Sequence, residues 1–399
     1  MLTQREIFFK HIAQTSPSPL ALEIDSAKGT FIYDVSGKAY YDMISGISVS
    51  SVGHCNPKVV EAIRVQTEKY MHLMVYGEYI QTPQNHLAQK IVSLLPSNLS
   101  SVYFVNSGSE AIEGAIKIVR KYTNRSEIIS CYNAYHGSTL GALSAIGSIE
   151  YKKWFAPVIT GFSNIEFGKI EDLDKITKKT AAIIIEPVQA EAGIRIAKSD
   201  YWKTLQIRCK ETGTLIIADE VQTGFGRTGK MFGFEYANFI PDIITFAKGM
   251  GGGMPIGAFV SSSAIMNCLT NNPILGHITT FGGHPVSCAA SLACINAIID
   301  EKLIDDIEYK SNFVVNKLQN APLIKEIRNA GFLFAIEFES FKLNKQIIDN
   351  CIKNGVITDW FLFCDNSMRL APPLTISMVE LEDALNIIIS VLKNIKDDR

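Results

Sequence analysis

A chain of 399 residues with 47% hydrophobic and 20% charged side chains has the make-up of a globular protein and is too long for one small core, so two domains are expected. Its 38 basic and 40 acidic residues leave a net charge of −2, which offers no basic footprint for nucleic acid. No apolar run approaches the ~18 residues of a membrane span, the first residues lack the apolar core and cleavage site of a signal peptide, and the eight cysteines include no C-x-x-C pair; neither zinc site nor disulfide framework is suggested, and reduced thiols in a cytoplasm are expected.

Residues 1–45 read as a helix followed by short strands at Leu20–Ile24, Thr30–Tyr33 and Ala39–Met43, parted by Lys-Gly and Ser-Gly turns. From Pro57 the pattern turns to alternating helices and strands. A strand at Ser101–Val105 leads to a helix over Glu110–Tyr122, with Ala111, Ile112, Ala115, Ile116 and Val119 on one face. Apolar strands follow at Ile128–Cys131, Ala181–Ile185, Leu215–Ala218, Ile243–Ala247 and Ile256–Val260. Near-continuous apolar strands spaced by helices indicate an α/β fold with a mostly parallel sheet buried on both faces. After a helix at Val286–Ile299 come strands at Ile324–Arg328 and Phe332–Phe338, a helix near Gln346–Asn354 and a strand around Met368–Ala371. The last helix opens on the capping box Ser377-x-x-Glu380 and runs to about Ile395. The division expected is 1–45 and 291–399 in a small domain and 46–290 in a large one.

Three strands end in ionisable residues: Glu186, Asp219 and Lys248. In a parallel α/β sheet ligands bind at the carboxyl ends of the strands, so the three are expected along one rim. Lys248 is followed by Gly249 and then Gly251–Gly253, a lone amine with flexible backbone beyond it. Ser107-Gly108-Ser109-Glu110 joins a strand to an amphipathic helix; its first N–H groups and the helix dipole form an anion site, or else Ser107 and Glu110 form an ordinary capping box. Tyr135, ahead of His136 and Gly137 at another strand end, either stacks on a planar ligand or half-buries in a turn. Gly224-Phe-Gly-Arg-Thr-Gly-Lys230 imitates a phosphate loop, but Met231 stands where a magnesium-binding hydroxyl belongs.

Taken together, Ser107–Ala111, Tyr135-His136-Gly137, Glu186-Pro187-Val188-Gln189, Asp219–Gly224 and Lys248-Gly249 resemble, in order and spacing, the class III (ω-) aminotransferases of the acetylornithine, ornithine and 4-aminobutyrate type. Thr279–Gly283, Met368–Pro373 and Gly53–Pro57 extend the resemblance over essentially the whole chain. It implies fold type I, with a seven-stranded large domain and a small α+β domain built from both termini, and pyridoxal 5′-phosphate as cofactor. Lys248 corresponds to the lysine that forms the Schiff base with the cofactor and then moves protons. Asp219 corresponds to the partner of the pyridine nitrogen, Gln222 to the donor for the ring hydroxyl, and Val221 and Tyr135 to the two walls of the ring, backed by His136. Ser107, Gly108 and Ser109 correspond to the phosphate loop, and Glu186 to a supporting carboxylate near the substrate. Thr280 corresponds to a threonine that reaches the phosphate of the partner subunit, which implies a homodimer with shared sites. Arg369 resembles the arginine that grips the α-carboxylate of 2-oxoglutarate, and Glu191 the acidic gate over it.

Three positions depart from the family. Several members carry a second-carboxylate arginine after His-Gly; here it is Ser138. Thr15 stands where ornithine enzymes carry a tyrosine ahead of Pro17-Ser18-Pro19, and His284 replaces an asparagine. The function expected is ping-pong transfer of an amino group from an ω-amine or amino acid to 2-oxoglutarate, giving glutamate. An aminomutase, racemase or decarboxylase on the same scaffold is the alternative.

Overall fold

The computed structural model describes residues 2–395; the outermost residues of the expected small domain, 1 and 396–399, lie outside them. Near the N-terminus β1 (Ile24–Lys28), β2 (Phe31–Asp34) and β3 (Ala39–Asp42) form an antiparallel meander. The first strand is displaced from the expected Leu20–Ile24. Its position is set by pairing, with Lys28 opposite Phe31 across a turn at Gly29, and four of its five residues are exposed, so apolar pattern carried no information there.

The large sheet contains β4 (Ser101–Val105), β5 (Glu127–Cys131), β6 (Phe162–Ile165), β7 (Thr180–Ile185), β8 (Leu215–Asp219), β9 (Ile243–Phe246) and β10 (Gly257–Ser261), in the order β4-β10-β9-β8-β7-β5-β6. β10 runs antiparallel to both neighbours and the other pairs are parallel, as the α/β reading requires. All six residues of β7 are buried. Ile183 and Ile185 face one core and Ala182 and Ile184 the other, so covered faces, not alternation, explain the continuous apolar strands. The helix at Gly108–Thr123 fills the second core with the face read from its spacing. β6 has no counterpart among the expected strands; its sequence, Phe-Ser-Asn-Ile, lies at the sheet edge and is only partly buried.

β11 (Glu326–Ala330), β12 (Leu333–Glu337), β14 (Asp359–Phe361) and β15 (Cys364–Leu370) form a third sheet, while β13 (Val356–Ile357) pairs in parallel with β3. The two ends of the chain thus share a sheet, and Met43 lies in the same core as Phe334, Ile348 and Leu385. The helix at Phe341–Lys353 begins five residues before the expected Gln346, because Ser340 caps it by accepting from the Leu343 N–H. The final helix carries both bonds of its expected box between Ser377 and Glu380. Helices at Ser199–Thr212 and Ile307–Leu318 were not anticipated. The helix at Pro285–Asp300 crosses residue 290 unbroken, and its Ile295, Ala297 and Ile298 join the core under the large sheet. Among the described residues no helix is long and apolar enough to cross a membrane.

Candidate active site

β7, β8 and β9 are adjacent and parallel, so their ends lie side by side. Glu186 follows β7, Asp219 closes β8, and Lys248 comes two residues after β9. All three line a cavity of about 210 Å³. Ser107, Gly108 and Ser109 form one wall, Tyr135, His136 and Gly137 a second, and Val221 and Gln222 a third. Residues separated by more than a hundred positions meet because parallel strands bring every strand-to-helix loop to the same rim.

Lys248 has a φ of +45°, a left-handed conformation that a side chain adopts at a cost of about 1 kcal/mol or more. Its Nζ donates to Gln222 Oε1 at 3.0 Å. Burial pushes the Lys248 pKa down, against the opposing pull of Glu191, so the neutral amine needed for nucleophilic and base chemistry is more accessible than in water. Gln222 Nε2 is buried with no partner, a donor left free for a ligand oxygen.

Asp219 Oδ2 lies 2.7 Å from His136 Nδ1, with both side chains buried. Oδ1 accepts from the Val221 N–H at 3.0 Å. Burial disfavours charge on His136, but the hydrogen bond and charge of Asp219 outweigh it and the His136 pKa is raised. The pair therefore holds a carboxylate deep in the cavity with its proton-bearing partner fixed behind it. Glu186 accepts from the N–H groups of Ala190 at 3.0 Å and Tyr135 at 3.3 Å. Burial, the largest influence, raises its pKa to about 7.

The helix at Gly108–Thr123 points its N-terminus at this cavity. Ser107 caps it by accepting from the Glu110 N–H at 3.2 Å. The reciprocal bond of a capping box is absent: Glu110 accepts instead from the Asn106 N–H at 2.7 Å and Asn106 Nδ2 at 2.9 Å. First-turn N–H groups have no intrahelical acceptor, and here they border the cavity. Two glycines keep that space. A Cβ on Gly108 would lie 3.0 Å from both Val221 methyls, and one on Gly137 only 2.2 Å from Ser109 Oγ.

A planar phosphorylated pyridine aldehyde fits this set. The helix N-terminus suits its phosphate, Asp219 its ring nitrogen, the unpartnered Gln222 Nε2 its ring oxygen, and Val221 and Tyr135 its faces.

Beside the cavity, Arg369 on β15 makes a two-pronged pair with Glu191, Nη1–Oε1 2.7 Å and Nη2–Oε2 3.0 Å. Both side chains are buried. Burial works against the Glu191 charge, but Arg369 outweighs it and holds the carboxyl below its ordinary range. Asp359, which sequence reasoning did not find, lies 3.1 Å from Arg369 Nε. Burial raises its pKa to about 6, against Arg369. No local sequence pattern marks it: its place opposite Arg369 comes from the β14–β15 ladder.

Thr280 does not join these residues. It is exposed, and its carbonyl accepts from His72 Nε2 at 2.8 Å. His284 precedes the helix at Pro285 without capping it, and its ring stacks 5.7 Å from that of His72. Ser138 is exposed and bonds Tyr135 through its hydroxyl at 2.9 Å. The glycine-rich Gly224–Lys230 forms turns, and the helix after it, Gly233–Ala237, spans only five residues and gives the N–H groups of Gly233 and Phe234 to Glu220. Its Arg227 is fully buried and donates to the carbonyls of Ala371 and Pro372, tying this loop to the end of β15.

Residues 12–392 match the family model described as aminotransferase class-III. The acetylornithine aminotransferase of Methanocaldococcus jannaschii is 41% identical over 94% of this chain and 95% of its own. That of Clostridium acetobutylicum is 36% identical over 91% and 94%. Among solved structures, the ornithine aminotransferase from Toxoplasma gondii superposes with a TM-score of 0.90 at 29% identity, covering 98% of this chain and 96% of that one. A transaminase from the marine bacterium Virgibacillus gives 0.91 at 29% identity, covering 98% of each.

Proposed function

The chain belongs to the class III aminotransferases, which use pyridoxal phosphate to move amino groups, and from that premise we propose that its acceptor is 2-oxoglutarate, its second product glutamate, and its donor an ω-amine or amino acid such as ornithine, acetylornithine or 4-aminobutyrate. The observation that carries this reading is the Glu191–Arg369 pair. A buried ion pair is strongly destabilised when one partner leaves unreplaced. An α-keto acid can replace Glu191, because its carboxylate matches the same guanidinium edge. A donor that presents only an amine leaves the pair closed. One pocket then serves both half-reactions.

When bound, pyridoxal phosphate supplies an aldehyde and a sink for the electrons of the donor's breaking C–H bond. The protein's part is positioning and proton movement. Lys248 Nζ would take the proton from the donor carbon and return it one position along, its lowered pKa making the neutral amine available. Asp219, fixed by its hydrogen bond with His136, would face the ring nitrogen and keep it protonated. Gln222 Nε2 would donate to the ring oxygen, and the first-turn N–H groups at Gly108 and Ser109 would hold the phosphate. Val221 and Tyr135 pack the ring faces, and Glu186 fixes the Tyr135 backbone.

Thr280, exposed on a single chain, serves the phosphate of a partner subunit in a homodimer. The division expected at residue 290 moves to the end of the helix Pro285–Asp300, so residues 46–300 and the two chain ends act as large and small domains around the site. The eight unpaired cysteines suit the cytoplasm.

The test is a donor screen against 2-oxoglutarate that scores glutamate by chromatography. Glutamate from at least one amine is expected, and Arg369→Ala should weaken 2-oxoglutarate use at least tenfold. The reading is wrong if no amine yields glutamate while a rearranged, epimerised or decarboxylated product appears. Ser138 leaves the donor's distal group without a guanidinium, so the screen includes plain monoamines and diamines beside the three amino acids.

A further inference from the structure

Arg369 is gripped on every side except one by its own hairpin. Asp359 stands directly opposite it in the β14–β15 ladder and places Oδ1 3.1 Å from Nε. Nη2 donates to the Trp360 carbonyl at 3.1 Å. The Phe361 ring lies under the guanidinium, 4.6 Å from its central carbon. Three consecutive residues thus hold the Nε side, one Nη2 proton and one face. The remaining edge, Nη1 with Nη2, belongs to Glu191. Glu191 comes from a different part of the fold and is itself held by the Leu362 N–H at 3.2 Å.

Asp359 Oδ1 and Arg369 Nε share a further property. Each is buried and neither has an aligned hydrogen-bond partner. These two facing atoms, shielded from water and otherwise unsatisfied, have only each other. Losing Asp359 would leave Nε with nothing, whether or not Glu191 is in place.

We propose that Asp359 is a positioning residue that fixes Arg369 by its Nε side, so that Glu191 is the exchangeable partner and a substrate carboxylate meets a guanidinium already in place. This rests on the exchange of Glu191 for a substrate carboxylate proposed above. Two carboxylates already face one guanidinium, so a third cannot simply be added. The substrate must replace Glu191, while Asp359 stays and keeps the fork aimed at the cavity. Pre-aligned donors spare the bound carboxylate the cost of ordering a long side chain.

The experiment compares wild type, Asp359→Ala, Asp359→Asn and Arg369→Ala. Protein reconstituted with pyridoxamine 5′-phosphate is mixed with 2-oxoglutarate or with butanal, which has no carboxylate, and the change in cofactor absorbance is followed. Binding of glutarate, an unreactive dicarboxylate, is titrated by calorimetry. In Asp359→Ala the preference for 2-oxoglutarate over butanal, as a ratio of second-order constants, should fall roughly tenfold, and glutarate should bind roughly tenfold more weakly. Asp359→Asn keeps an oxygen beside Nε and should stay within about threefold of wild type on both measures. If Asp359→Ala does not fold, Asp359→Ser, too short to reach Nε, takes its place. The inference is overturned if removing Asp359 leaves the ratio and glutarate binding unchanged or improved, or if Asn is as damaging as Ala. A wild type that ignores 2-oxoglutarate instead defeats the exchange itself. A wild type that uses it, loses it in Arg369→Ala and keeps it in Asp359→Ala defeats only the role of Asp359.

Discussion

Lys248 combines three local features: a left-handed backbone, a pKa pushed down by burial and a hydrogen bond to Gln222. The first aims the side chain, the second readies its amine, and the third parks it. Lys248→Ala removes the amine that all three serve. Turnover should fall by at least about a thousandfold, and borohydride, which should fix the cofactor to the wild-type chain at Lys248, should leave the variant unlabelled by mass spectrometry. A labelled variant, or one that still turns over, would remove Lys248 from the mechanism. The place of Lys248 and Asp219 on one rim was readable from the strand ends. The His136–Asp219 bond was not, because its partners are 83 residues apart and join only when β5 and β8 enter one sheet.

At the level of elements, two contacts hold the site's frame. The helix that carries the proposed phosphate loop lies on β10 through Gly114, where an added Cβ would meet the Phe259 ring at 2.3 Å. Gly114→Ala improves helix propensity but forces that ring aside, and the overpacking should dominate. A net loss of about 1–3 kcal/mol is expected in urea unfolding, with weaker cofactor binding because the helix N-terminus moves. The second frame contact is Glu220, which accepts from the N–H groups of Gly233 at 2.8 Å and Phe234 at 2.6 Å and from Thr223 Oγ1 at 2.5 Å. Burial nevertheless raises its pKa to about 7, above that of an unfolded glutamate. The folded state therefore holds the proton more tightly, and this contribution to stability is full below about pH 4 and lost as pH rises through 7. Glu186 acts in the same direction. Glu220→Gln has no such proton, so unfolding free energies measured from pH 5 to pH 8 should decline less in the variant than in wild type. An equal decline would mean that Glu220 is ionised throughout.

For the whole molecule, the decisive question is whether sites are shared between chains. Thr280 is exposed and away from the cavity of its own chain, which suits a role across a two-fold interface. Lys248→Ala and Thr280→Ala chains would each form impaired dimers. In a mixed dimer, one site has its own Lys248 and receives an intact Thr280 from the other chain. Co-expression followed by tandem-tag purification of mixed dimers should restore about half of the wild-type sites. Recovery no better than the average of the two parent proteins would place Thr280 outside the partner's site.

The sequence by itself determined the alternation of apolar strands and amphipathic helices, the α/β class, and the residues at the rim. Strand length and helical spacing are local, and parallel packing sends every strand's end to one edge whatever the details. Tertiary structure alone decided what depends on pairing between distant segments. It moved β1 to match β2, added the half-exposed edge strand β6, and carried the helix at Pro285–Asp300 past residue 290 into the large core. It turned the glycine-rich Gly224–Lys230 into a loop pinned by Arg227, and gave the Glu110 carboxylate to Asn106. It also set Asp359 against Arg369, ten residues away in a hairpin, and gave the Glu191–Arg369 pair, expected from the family resemblance, its two-pronged geometry across 178 residues. Such contacts have no sequence period, because they form where independently patterned elements happen to be packed together.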